Sequence, residues 1–177
     1  VIDNGVAMER VRMTVNALRK NPGEGLLTLS GVTDWNEGAH STGLFRNFVI
    51  AADETEDVGG TNRGPNPPEL VLAALGACIT VGIAYSAAED GVELRSIELD
   101  VEGDIDLKGF FKRDLNADVR PGFQAIRVTV WVDADAPPGK VAEIVRRGGE
   151  ERSPVTDMLV NPVPVTVRLE QKVPAKR

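Results

Sequence analysis

Residues 64–91 read GPNPPELVLAALGACITVGIAYSAAEDG. The fold depends on whether this run spans a membrane or forms the centre of a soluble domain. Residues 70 to 88 carry no charge, and their length is close to that of a bilayer core. Composition favours the soluble reading. Ala and Gly dominate, the flanks are acidic at Glu69, Glu89 and Asp90, and no Lys, Arg or Trp anchors either end. A helix apolar on all sides is then expected in the interior of a fold. Its limits are written into the sequence. Asn66 is a capping residue, Pro67 and Pro68 suit a first turn, Glu69 sets a carboxylate near free amides, and Asp90-Gly91 supplies a left-handed stop.

One sheet covers only one side of such a helix. The small residues Ala73, Ala74, Gly76, Ala77, Gly82 and Ala84 permit close approach of a second helix. This predicts a homodimer; a monomer whose own helices wrap the centre is the alternative. Upstream, VIDNGVAMERVRMTVNALRK predicts an amphipathic helix within an extension spanning residues 1–24, and it has no continuous apolar run of the signal-peptide kind. Leu26 to Ser30 and residues 43–51 predict strands, separated by the turn-rich DWNEGAHS. Downstream, residues 94–107 and 123–135 place an apolar residue at nearly every second position, the period of a half-buried strand. Helices are expected at 138–148 and 153–159, each opened by a proline, with a last strand at 163–170 and a fraying basic tail at 171–177. Strands on both sides of one central helix, without a βαβ rhythm, define an α+β domain with antiparallel sheets over residues 25–170.

The 177-residue length suits one domain. A net charge of −7 argues against nucleic-acid and anionic-membrane partners. One cysteine and one histidine leave no disulfide and no common zinc set, so no metal is expected and the chain suits a reducing cytoplasm. The segment GGTNRG lacks a following Gly-Lys-Ser/Thr, which removes the phosphate-loop reading; no cofactor is expected.

Several separated motifs occur in one order: GGTNRGPNPPELVLAALGAC, DVEGDIDLKGF, VRPGFQAIRVTVWVDADAP and RSPVTDMLVNPVPVTVRLE. Over about residues 26–170 the chain resembles the OsmC/Ohr family, in particular its OsmC-like branch. The resemblance implies an intertwined homodimer, antiparallel sheets around long central helices, and active sites at the subunit interface. It also implies reduction of organic hydroperoxides by a peroxidatic cysteine, activated by an arginine and a glutamate and resolved by a second cysteine. Position by position, Cys78 matches the peroxidatic residue, while Ser153 stands at the place of the resolving one. Pro68 occupies the glutamate position. Glu69 is one residue on, about 180° round an ideal helix from Cys78. In WNEGAH, His40 falls where a W-x-x-G-x-R pattern carries arginine, and Arg46 and Arg63 are the other candidate cations.

These residues also have ordinary readings. A cysteine among Ala, Gly and Ile is often inert packing. Ser153 before a proline is a helix cap, Glu69 a first-turn stabiliser, and His40 a surface residue in a polar turn. A serine hydrolase is disfavoured, because Ser153 lacks an evident base and orienting acid. Phe110 and Phe111, beside Lys112 and Arg113, either rim an apolar pocket or close a loop over the core. Two functions follow. One is an oxidative-stress protein that uses Cys78 as a one-cysteine thiol peroxidase on organic hydroperoxides, with an external thiol reductant. The other is a non-catalytic protein of the same fold that binds a small apolar ligand at the dimer interface.

Overall fold

The computed structural model describes residues 3–161 and 163–171. Helix α1 (Met8–Lys20) is followed by a three-stranded antiparallel sheet, β1 (Val32–Glu37), β2 (His40–Phe45) and β3 (Phe48–Ala52). Helix α2 (Pro67–Asp90) leads into a second sheet, the long hairpin of β4 (Leu94–Ile105) and β5 (Phe123–Ala134). Two four-residue helices, α3 (Leu107–Phe110) and α4 (Lys112–Leu115), fill the connection. The chain continues through α5 (Pro138–Arg146), a π-helical turn (Arg147–Glu151) and α6 (Pro154–Val160). This is the α+β arrangement with antiparallel sheets that the sequence predicts.

The alternation in β4 and β5 translates directly into packing. Leu99 faces Val130 and Val101 faces Val128 across the ladder. Together with Ile97 and Ile126 they cover Leu75, Ile79 and Ile83 of α2, and Ile144 of α5 closes the cluster. The caps of α2 form as their chemistry requires. Asn66 accepts from the Glu69 amide while the Glu69 carboxylate accepts from the Asn66 amide, and Gly91 closes the helix at φ 64°.

Helix α2 is apolar between its caps, yet within the chain its burial is mainly one stripe, Leu75, Ile79, Gly82, Ile83, Ser86 and Ala87, joined by Ala88 near the C-terminus. By length and composition it is a helix that could cross a membrane, but it packs against β4, α5, the π turn and α6 as a core helix does. Gly82 serves a contact inside the chain instead of the expected helix pair. A Cβ there would collide with the Gly148 carbonyl, and one on Gly148 would collide with the Ile83 backbone. The π turn therefore rests directly on the α2 backbone. Charge fixes the same joint: Asp90 pairs with Arg147 and, at 3.0 Å, with Lys140, while Arg147 Nη2 donates to the Ser86 carbonyl at 2.8 Å. Burial pushes the Asp90 carboxyl up, but these cations outweigh it and hold the group below the ordinary carboxylate range.

Four expectations change. DWNEGAHS is not simply a turn: most of it is β1 and the start of β2, which meet at Gly38-Ala39. Residues 43–51 split into two strands at a tight turn where Arg46 takes φ 58°. Leu26 to Ser30 and residues 163–170 form no strand, and their apolar side chains stand in solvent, Leu29, Val167 and Leu169 each 91% exposed. A strand needs a partner edge, and no strand among the described residues pairs with these segments. Phe110 is 72% exposed and meets Phe111 edge to face, so this pair does not close over the core. Of the basic tail, residues 172–177 lie outside the described residues.

Gly82→Ala should lower the unfolding free energy by about 1–3 kcal/mol, the usual cost of overpacking a tight contact. Gly139→Ala, with open space at its Cβ position in α5, should stabilise by up to about 1 kcal/mol. Urea titrations at one protein concentration test the pair.

Candidate functional site

Cys78 lies at the boundary between two faces of α2. On an ideal helix it stands between the buried stripe and the exposed residues Ala74, Ala77 and Val81. The thiol side chain is partly accessible. It borders a recess of about 350 Å³ lined by Cys78, Val81, Gly82, Tyr85, Arg152 and Pro154. Val81, Gly82 and Tyr85 follow Cys78 on the same helical face. The other wall comes from the end of the π turn and the start of α6.

That wall is rigidly placed. Ser153 is 2% exposed, and its Oγ accepts from the Thr156 amide at 3.1 Å and pairs with the Thr156 hydroxyl at 2.8 Å. It is a helix cap, worth about 1 kcal/mol. Immediately before it, the Arg152 amide donates to the Arg147 carbonyl at 3.0 Å. The Arg152 guanidinium meets Glu89 at 2.6 Å in a pair whose side chains are each 33% exposed. Arg152 is the one charged residue among those lining the recess.

Within one chain, none of the candidate activators lines this recess. Glu69 is engaged in the cap of α2. Arg46 stacks over the Phe48 ring at 4.8 Å in the β2–β3 turn. Arg63 pairs with Glu37 at 2.7 Å, and Glu37 faces His40 across the β1–β2 ladder. His40 Nδ1 is buried without a hydrogen-bond partner. His40 and Arg63 are thus brought near one another by Glu37, on a sheet that stands apart from Cys78. Sequence reasoning missed Arg152 and Glu89. The signal available was spacing: Glu89 is eleven residues after Cys78, about 20° from it round an ideal helix, and Arg152 precedes the one serine singled out for its position.

The loop that carries Arg63 is organised by a buried carboxylate. Asp53, 1% exposed, accepts from the Thr61 hydroxyl at 2.6 Å and from the amides of Glu54, Thr61 and Arg63. The Thr61 hydroxyl, followed by these amides, outweighs burial and holds the Asp53 carboxyl below its ordinary range.

A larger trough of about 830 Å³ lies on an adjoining face of α2, between β5, α5 and α6. Its floor is Val71, Leu75, Ile79, Ile126, Val128 and Val130; Arg120, Gln124 and Glu150 stand among its polar lining. Helix α6 borders both spaces, with Pro154 at the thiol recess and Thr156, Leu159 and Val160 at the trough. Among the described residues no group of His, Cys, Asp or Glu is arranged to hold a metal ion.

A lone thiol on the central helix of an α+β domain, with an ion-paired arginine in the wall opposite, defines the class: a thiol-bearing protein with antiparallel sheets around a long helix. The sequence profile of the OsmC-like protein family matches residues 60–168, and the chain belongs to that family. Its fold is similar to a solved OsmC-like protein from Mycoplasma pneumoniae, with TM-score 0.64, 16% identity, and coverage of 77% of this chain and 89% of that one. It is also similar to an organic hydroperoxide resistance protein from Legionella pneumophila, with TM-score 0.57, 14% identity, and coverage of 76% and 91%. A third likeness is to such a protein from Elizabethkingia anophelis, with TM-score 0.54, 11% identity, and coverage of 76% and 90%. No curated protein sequence matches the chain.

The lowered Asp53 carboxyl sets a pH dependence. A depressed folded-state pKa stabilises the fold fully above the unfolded value near ~4, and the contribution is lost as pH falls below it. Asp53→Asn should therefore lower the melting temperature at pH 7 and flatten its decline between about pH 5 and pH 3. Thermal melts across that range provide the check.

Proposed function

We propose that this protein is a one-cysteine thiol peroxidase for organic hydroperoxides, acting in a reducing cytoplasm as a homodimer. The observation that carries it is the setting of Cys78: a partly exposed residue bordering an open recess of about 350 Å³ beside Val81, Gly82 and Tyr85 of the same helix. A sulfur sealed among Ala and Ile side chains would have removed the reading. In the reaction the Cys78 thiolate attacks the terminal peroxide oxygen, an S–O bond forms, the O–O bond breaks, and the departing alkoxide takes a proton from water. Sulfur is oxidised to sulfenic acid while the peroxide is reduced to an alcohol. Ser153 is a buried cap and cannot resolve this product. An external thiol condenses with the sulfenic acid, releasing water, and a second thiol frees Cys78 as the mixed disulfide is reduced.

The dimer is supported by what one chain leaves uncovered. Phe45, Phe48, Val49 and Ile50 of the first sheet are exposed, as are Val81 on α2, the leucines at 26, 27 and 29, and Val165, Val167 and Leu169 near the C-terminus. Apolar exposure on this scale marks an interaction surface. The second reading, a non-catalytic protein that binds a small apolar molecule, is favoured by the trough along Leu75, Ile79 and Val128.

Brief exposure to stoichiometric cumene hydroperoxide should oxidise wild-type protein at Cys78 faster than hydrogen peroxide does, read by intact mass and free-thiol count, while Cys78→Ser stays unmodified. A thiol no more reactive than free cysteine would favour the apolar-ligand reading. Light scattering should give the mass of two 19.0 kDa chains; a single-chain mass would overturn the dimer.

A further inference from the structure

We propose that the trough along α2 is a binding site for a straight-chain monocarboxylate, with the carboxylate on Arg120 and the hydrocarbon chain on Leu75, Ile79 and Val128. The inference rests on the apolar-ligand reading of this trough and is independent of the thiol chemistry, because Cys78 does not line it. The volume of about 830 Å³ falls within the roughly 300–1,000 Å³ of small-molecule sites. Two close contacts fix its ends. A Cβ on Gly103 would touch both Phe123 and Leu72, which sets the start of β5, with Arg120 and Gln124, beside the first two turns of α2. A Cβ on Gly149 would lie 3.6 Å from Ile79 Cγ2, which sets the π turn, with Glu150, beside the middle of the helix. Between Val71 and Ile79 the apolar floor runs about 12 Å along the helix axis.

The two ends differ in charge. Arg120 is the only charged residue lining the first, and its backbone is held in place: a Cβ on Gly109 would collide with the Arg120 carbonyl, which also accepts from Gln124 Nε2 at 3.2 Å. The Arg120 guanidinium joins none of the ion pairs among the described residues. Its planar fork is therefore available to a carboxylate, which it matches with two parallel N–H···O bonds. The second end is mixed. Glu150 repels a carboxylate there, and Arg146, already paired with Glu151, gives an ammonium group no unopposed partner. One anionic head is thus accepted in one orientation, with its tail pointing toward Ile79. Removal of the tail's methylenes from water supplies most of the affinity, and Arg120 supplies the direction.

The test is titration calorimetry of the full-length protein with hexanoate, octanoate and decanoate, and with decanol, decylamine and the ten-carbon dicarboxylate sebacate. Affinity for the monocarboxylates should rise about fourfold per added methylene. Decanoate should bind more tightly than the other three ten-carbon compounds. R120Q, a change at an exposed side chain, should weaken decanoate about fivefold and leave decanol unchanged. E150Q should narrow the gap between decanoate and sebacate, and Cys78→Ser should bind decanoate as wild type does. If decanol or decylamine binds as well as decanoate, or R120Q changes nothing, the carboxylate assignment is overturned while the apolar-ligand reading stands. Loss of binding in Cys78→Ser would put the ligand in the thiol recess and overturn the site. Absence of binding by every compound overturns both the assignment and the apolar-ligand reading.

Discussion

The contact between Gly82 and Gly148 is the constraint on which the arrangement of the site depends. Two backbones meet where either Cβ would collide, so the π turn sits closer to α2 than side-chain packing allows. The partly buried Arg147–Asp90 pair lies beside this contact and fixes the turn along the helix. Each feature alone would leave freedom: a glycine contact permits sliding, and an ion pair permits rotation. Together they define where Arg152 and Ser153 begin the wall opposite Cys78. A π turn inserts an extra residue into the helical path, and here it converts the end of α5 into the approach to α6.

From this joint the core extends in one direction only. The β4–β5 hairpin covers one side of α2, and α5 and α6 cover part of another. The rest of α2 is as apolar as its buried stripe but remains open. The three-stranded sheet shows the same imbalance, with β1 exposed along its length. Exposed apolar residues of β2 and β3, Leu44, Phe45, Phe48 and Val49, give this sheet the character of an interaction surface.

The elements that were legible in the sequence are those whose causes are local. Asn66, Glu69 and Gly91 set the ends of α2 through backbone hydrogen bonds within a few residues, and the period of two in β4 and β5 needs only one core beneath it. The misreadings have causes outside the segment concerned. Leu26 to Ser30 and residues 163–170 have strand chemistry, but no strand edge among the described residues receives them. The Arg46 turn was missed because a two-residue hairpin loop usually announces itself with glycine or Asn-Gly, and here arginine takes the left-handed conformation. Cys78 stood out because it is the only cysteine. Arg152 did not, since its relevance arises from a contact between segments about sixty residues apart and from glycines whose role is to have no side chain.

Cys78 occupies the edge between the covered and uncovered faces of α2, and this explains how a thiol in an alanine-rich helix remains accessible. A deeper position, toward Ile79 and Ile83, would lose contact with solvent and peroxide alike; Ile83 is fully buried. A more open one, toward Ala77, would leave the recess whose other wall Arg152 and Pro154 form. The border position satisfies both needs and exposes the sulfur to whatever covers the open stripe. A second chain seated there would set the access of peroxide and reductant to the thiol.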